Sequence, residues 1–169
     1  NQEMDEALLH FERAVEAKEE NVEAWKGLGF VHLQLKETPE AVRALERAHD
    51  LAPGDADVAI ALSRLMDQSD DLQGAESVLS SFLTRQPGNP EATKLLARMK
   101  RDATVEENFQ SSDTGHFRLK FDGAENASVG ALVSAILEEA WAQVGADFHY
   151  YPPDAVVVIL YARDDFRKV

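Results

Sequence analysis

Histidine is the residue type in this chain best suited to metal chemistry, because a helical zinc site needs two ligands about one turn apart on one face. None of the histidines is followed by the pattern E-x-x-H, so we assign no metal ligand. We interpret His32 as a packed, hydrogen-bonded core residue. His116 and His149 could meet as ligands in space, although positions beside a strand and a corner are the alternative interpretation. The five histidines are His10, His32, His49, His116 and His149.

Other side chains that could do chemistry lack the spacing that it requires. Glu138 and Glu139 are adjacent, and adjacent residues of a helix do not face each other. Asp67, Asp70 and Asp71 lack the D-x-D-x-D-G order of a calcium loop, so we expect a solvated turn. No G-x-S-x-G, P-loop or G-x-G-x-x-G pattern occurs, and cysteine is absent. We therefore assign no catalytic residue, and whether a parent protein is an enzyme stays open.

The composition excludes some classes of partner. The formal net charge of −14 opposes sequence-independent nucleic-acid binding, which depends on neutralising phosphates with lysine and arginine. The content of 44% hydrophobic and 28% charged residues is typical of a globular protein. No run approaches the roughly 18 apolar residues of a membrane helix. The compartment, bacterial cytoplasm or cell envelope, is left open.

Two consecutive segments, Val22 to Asp55 and Ala56 to Asn89, align without a gap at a spacing of 34 residues. Such a period predicts stacked pairs of antiparallel helices, none of which can bury its apolar face alone. Pro53 and Pro87 are expected to end the second helix of each pair. Small residues are expected where helices approach most closely, at Gly29, Ser63 and Ala97 in the first helices and at Ala7, Ala41 and Ala75 in the second.

The unit W-x-x-L-G, A-x-x-x-L-x-x-A and P resembles the tetratricopeptide repeat (TPR). The resemblance implies a mainly α fold, a solenoid of helical hairpins wound as a right-handed superhelix, over residues 1–103. We place a half repeat at 4–21, full repeats at 22–55 and 56–89, and a capping helix at 90–101. The pattern departs from the family at Glu19, which replaces a proline, and at Phe82, which replaces a small residue.

The TPR resemblance also implies which residues contact a partner, because positions 2, 5, 9 and 12 of each first helix face a ligand in that family. We therefore expect a groove that binds a protein or peptide with acidic and apolar side chains. Ordinary solvated charges on a capping helix are the alternative, and the oligomeric state stays open. The predicted groove residues are Lys26, Phe30, Leu33, Ile60, Arg64, Lys94, Arg98 and Arg101.

The 34-residue pattern ends after residue 103. We predict a polar linker at 104–115, followed by a partial α/β segment, strand, helix and strand, at 116–169. Phe117, Leu119 and Phe121 alternate with charged residues, which indicates a strand with one buried face. Asp122 and Gly123 indicate a turn.

A single apolar stripe then predicts a helix of about 18 residues, with Ser128 as its N-cap and Gly145 as its end. Residues 151–154 predict a rigid corner. The apolar run from Ala155 to Tyr161 predicts a strand buried on both faces. A further helix is expected to begin within residues 164–169.

This second segment resembles the front part of gluzincin-type (peptidase MA-like) zinc peptidases that are fused to TPRs in bacteria. The resemblance rests on HFRLKFDG from His116 to Gly123, on the stretch from Ile136 to Phe166, and on the order of elements. It implies an alternative function, the non-catalytic front of a metallopeptidase whose H-E-x-x-H helix lies beyond residue 169. Zinc would then belong to the longer parent and not to this chain, and we expect the α/β segment to be incomplete.

Overall fold

The computed structural model describes residues 2–107, 109–153 and 155–161. Contacts divide the chain into a first unit, Asn1–Met99, and a second unit, Lys100–Val169. The helix expected within residues 164–169 lies outside the described residues, as does Asp154 of the predicted corner.

The first unit is built from helices that follow the predicted repeat. They are α1 (Gln2–Ala17), α2 (Val22–Leu35), α3 (Thr38–Leu51), α4 (Ala56–Gln68), α5 (Leu72–Arg85) and α6 (Pro90–Glu106), whose last residues belong to the second unit. Consecutive helices from α1 to α5 pack against one another, so α2–α3 and α4–α5 form two hairpins. This confirms the predicted helical solenoid.

Side-chain caps begin most of these helices. Asn21, Asp55, Asp71 and Asn89 each accept a hydrogen bond from the backbone N–H three residues later, at 2.9–3.2 Å. Each cap satisfies a donor that the first helical turn leaves unpaired. Helices α3 and α5 end at Leu51 and Arg85, two residues before the prolines that were expected to stop them.

The core of the first unit is formed by the small and large residues that the repeat places in register. Leu45, Leu79 and Phe82 are completely buried, and Phe82 fills the layer in which a small residue is usual. Gly29 and Ser63 are buried as expected. Ala97 is exposed instead, because β1 and not a second repeat helix follows α6 in the chain.

The second unit contains a small sheet. Strands β1 (Phe109–Asp113), β2 (Phe117–Asp122) and β3 (Val156–Leu160) lie in the order β1-β2-β3, with β1 antiparallel and β3 parallel to β2. Helix α7 (Gly123–Phe148) connects β2 to β3 and packs on β2. Phe117, Leu119 and Phe121 are buried, as their alternation predicted.

Several expectations for this segment were wrong. The predicted linker contains β1, whose polar sequence FQSSD is held by backbone pairing to β2 and not by an apolar face. Helix α6 also continues to Glu106. Strand β3 is half-buried, and Val156 is 38% exposed, because β3 is an edge strand with neither face fully covered.

The predicted ends of the long helix were wrong as well, because α7 has 26 residues and contains both Ser128 and Gly145. A Cβ at Gly145 would lie 2.0 Å from the Tyr151 ring, so this glycine serves a close approach and not a helix end. The helix ends at His149, whose φ of 52° is left-handed, and the Tyr150 N–H bonds back to the Gly145 carbonyl. Its apolar stripe is only partly covered, since Leu132 and Ile136 are 62% and 55% exposed.

Candidate protein-interaction surface

The predicted groove residues lie on the first helices of successive repeats. Helix α2 carries Lys26, Phe30 and Leu33, helix α4 carries Ile60 and Arg64, and helix α6 carries Lys94, Arg98 and Arg101. Lys94 is exposed, and Arg101 is exposed within the second unit.

Lys26 connects α2 to the start of α4. Its ammonium lies 2.8 Å from an Asp55 carboxylate oxygen and 2.9 Å from one of Asp57. Partial burial alone would lower the pKa of Lys26, but hydrogen bonds to both carboxylates raise it above its ordinary value. Partial burial would likewise raise the pKa of Asp55, but the hydrogen bonds from Lys26 and from the Val58 N–H lower it.

Two arginines connect α4 to α6 in the same way. Arg64 lies 2.8 Å from Glu91, and Arg98 forms an ion pair with Asp67. The side chains of Arg64 and Arg98 are still 57% and 46% exposed. We call the paired residues the first-helix face: Lys26, Asp57, Arg64, Asp67, Glu91 and Arg98.

Sequence inspection identified these cations but missed their pairing. Each partner lies 27–31 residues away along the chain, about one repeat, and also occupies a position at which the repeat faces a ligand. The signal was therefore present, since opposite charges recur at neighbouring groove positions of adjacent repeats. The face presents alternating charges and not a basic patch.

The apolar groove residues are less accessible than the charged ones. Ile60 is 9% exposed and belongs to the core, because α3 and α5 both pack against α4. Phe30 and Leu33 are half-buried and pack against the same core. Ile60 is thus placed where it stabilises the unit and not where it could contact a ligand.

The histidines considered for metal binding have other partners. His32 lies 2.7 Å from Glu37, which agrees with a packed, hydrogen-bonded role. His116 lies 2.7 Å from Glu138 and stacks on Trp141 at a ring distance of 4.5 Å. Hydrogen bonds from the Thr114 hydroxyl and from His116 lower the pKa of Glu138. Within the part of the chain that the structure describes, no group of three or more potential ligands could hold a metal ion.

The second unit holds a buried carboxylate that the sequence did not single out. The Glu106 side chain is 6% exposed and accepts hydrogen bonds from Lys120 at 3.2 Å and from the Tyr161 hydroxyl at 2.5 Å. An apolar cavity of about 540 Å³ lies nearby in sequence terms, between α7 and β3, and is lined by residues that include Phe117, Trp141 and Phe148. Glu106 is balanced by its partners, so it reads as a structural ion pair.

No helix within residues 2–107, 109–153 and 155–161 is long and apolar enough to cross a bilayer.

Stacked hairpins of 34 residues, with small residues at the helix crossings, define the first unit as a TPR domain. Residues 1–111 match the family described as the cytochrome c-type biogenesis protein H TPR domain, and the chain belongs to that family.

The chain is also similar to a peroxisomal targeting signal receptor of Yarrowia lipolytica, with 42% identity over 60 residues. That match covers 36% of this chain and 10% of the receptor, so the chain spans a small part of the relative's length. Neither comparison supports the resemblance of the second segment to zinc peptidases.

Proposed function

We propose that this chain binds a protein or peptide partner through the first-helix face. The observation that carries the proposal is the row of ion-paired side chains that joins α2, α4 and α6 within a TPR domain. The family is named for cytochrome c-type biogenesis, and the similar receptor for a targeting signal. A partner that is itself a polypeptide is consistent with the second of these names.

Recognition would use the exposed parts of Arg64 and Arg98, together with Lys94. The pairs with Glu91 and Asp67 hold both guanidinium groups in place, and a guanidinium has five N–H donors, more than one carboxylate accepts. An acidic side chain of the partner would share those donors. The half-buried Phe30 and Leu33 would supply the apolar contact, and Ile60 would not.

The test begins with a selection of twelve-residue random peptides on the full chain, followed by titration of the selected peptides by fluorescence anisotropy. We expect the double variant Arg64→Glu/Arg98→Glu to weaken binding at least tenfold, which corresponds to about 1.4 kcal/mol. Arg64→Gln/Arg98→Gln removes the charges without placing new carboxylates beside Glu91 and Asp67, so it separates lost recognition from charge repulsion.

The matched control is Arg43→Glu/Arg47→Glu, which makes the same charge change at exposed positions of α3. We expect this control to change affinity by less than about twofold, since exposed charges away from the interface are screened. Equal affinity for the wild type and both Arg64/Arg98 variants would refute the proposal.

A further inference from the structure

A polar cavity of about 470 Å³ lies between the second helices of the two full repeats, on residues of α3, α4 and α5. It does not use any residue of the first-helix face. Its wall from α3 carries Glu46, His49 and Asp50, and its wall from α5 carries Ser77 and Ser81. The small residue Gly74 leaves it open at one end.

His49 is the unusual member of this lining. The residue is 9% exposed, and its Nδ1 is buried without a hydrogen-bond partner among the described residues. A buried polar atom without a partner costs about 1–3 kcal/mol, so such an atom calls for a water, an ion or a ligand. Burial lowers the pKa of His49, with a smaller contribution from the charge of Arg85, and Asp50 opposes both. The ring is therefore neutral near pH 7, and a neutral ring accepts a hydrogen bond through one of its nitrogens.

The other polar groups of the cavity also accept hydrogen bonds. Glu46 and Asp50 are exposed carboxylates that form no ion pair within the described ranges. Arg85 already donates to Ser81, at 3.3 Å, and it supplies one positive charge at this edge against the two carboxylates. The Ser77 hydroxyl is a further acceptor.

We infer that this cavity binds a guanidinium group, with His49, Glu46 and Asp50 as its acceptors. Several acceptors of different orientation suit the five-donor planar fork of a guanidinium better than a single ammonium, and the two carboxylates match its charge. The group could come from an arginine side chain of a partner or from a free small molecule.

The experiment uses the full chain and follows the imidazole nitrogens by ¹H–¹⁵N NMR, with His49→Gln assigning the His49 signals. The probes are Ac-Gly-Arg-Gly-amide, agmatine and, for comparison, Ac-Gly-Lys-Gly-amide. We expect a saturable shift of the His49 signals with a Kd below about 5 mM for a guanidinium probe, and a weaker response to the lysine peptide. Tighter binding of the arginine peptide than of agmatine indicates a partner's side chain, and the reverse indicates a small molecule.

The variant Glu46→Gln/Asp50→Asn should weaken the guanidinium probe at least tenfold. The control Glu16→Gln/Glu20→Gln removes two exposed carboxylates elsewhere and leaves the same net charge, so it should bind as the wild type does. Equal weakening in both variants would reduce the effect to the overall charge of −14 and overturn the inference. A His49 shift with Zn²⁺ alone and none with guanidinium would also overturn it.

Discussion

Gly29 marks the closest approach of two helices in the first repeat. A Cβ at this position would lie 2.5 Å from Leu45 Cγ, and Leu45 is completely buried, so its branch point has no room to move away. The repeat pattern predicted a small residue here. The structure adds which side chain requires it.

We therefore predict that Gly29→Ala lowers the free energy of unfolding by about 1–3 kcal/mol, because the added methyl overpacks the core. Urea unfolding followed by circular dichroism measures the change. Gly88→Ala is the matched control, since nothing lies within 4 Å of a Cβ there. A loss of the same size in both variants would contradict the steric explanation.

At the scale of elements, Asp55 has two roles that a sequence pattern does not separate. It caps α4 through the Val58 N–H, at 3.1 Å, and it binds the Lys26 ammonium of α2. Asp71 caps α5 through the Gly74 N–H, at 2.9 Å, and is an exposed residue. The pair of aspartates allows the cap and the ion pair to be compared.

We predict that Asp55→Asn destabilises the chain by about 1 kcal/mol at pH 7, because asparagine keeps the cap but weakens the contact with Lys26. Since the folded-state pKa of Asp55 lies below its ordinary value of 3.8, the stabilisation is complete above that pH and is lost as the pH falls through the folded-state pKa. The difference between wild type and variant in urea unfolding should therefore vanish in acid.

The same contact has an alkaline limit. The pKa of Lys26 is raised above its ordinary value of 10.5, so its contribution is complete below 10.5 and is lost as the pH rises through the folded-state pKa. Asp71→Asn, the control, should show a smaller difference at pH 7. A pH-independent difference for Asp55→Asn would show that the cap and not the ion pair is responsible.

For the whole molecule, we predict that the chain binds no stoichiometric zinc and hydrolyses no peptide. The prediction rests on the absence of E-x-x-H after any histidine. Incubation of the full chain with one equivalent of Zn²⁺, removal of weakly bound metal by dialysis and elemental analysis provide the measurement. One tightly bound zinc per chain would contradict the prediction and renew interest in His116 and His149.

Local order along the chain determined the helical part of this protein. The 34-residue period, the small residues at helix crossings and the caps at Asn21 and Asp55 are set by neighbours within a few turns, so they can be read directly. The second unit was harder, because a polar edge strand such as β1 has no pattern of its own and exists through backbone pairing with β2.

The tertiary structure alone decided how side chains from separate repeats meet. The partners of Arg64 and Arg98 lie 27 and 31 residues away, and only the packing of α4 against its neighbours brings them into contact and buries Ile60. The unpartnered nitrogen of His49 likewise follows from how α3, α4 and α5 pack. A sequence specifies which helices form through short-range spacing, whereas the charge and the cavities of a surface depend on distances between helices that spacing does not contain.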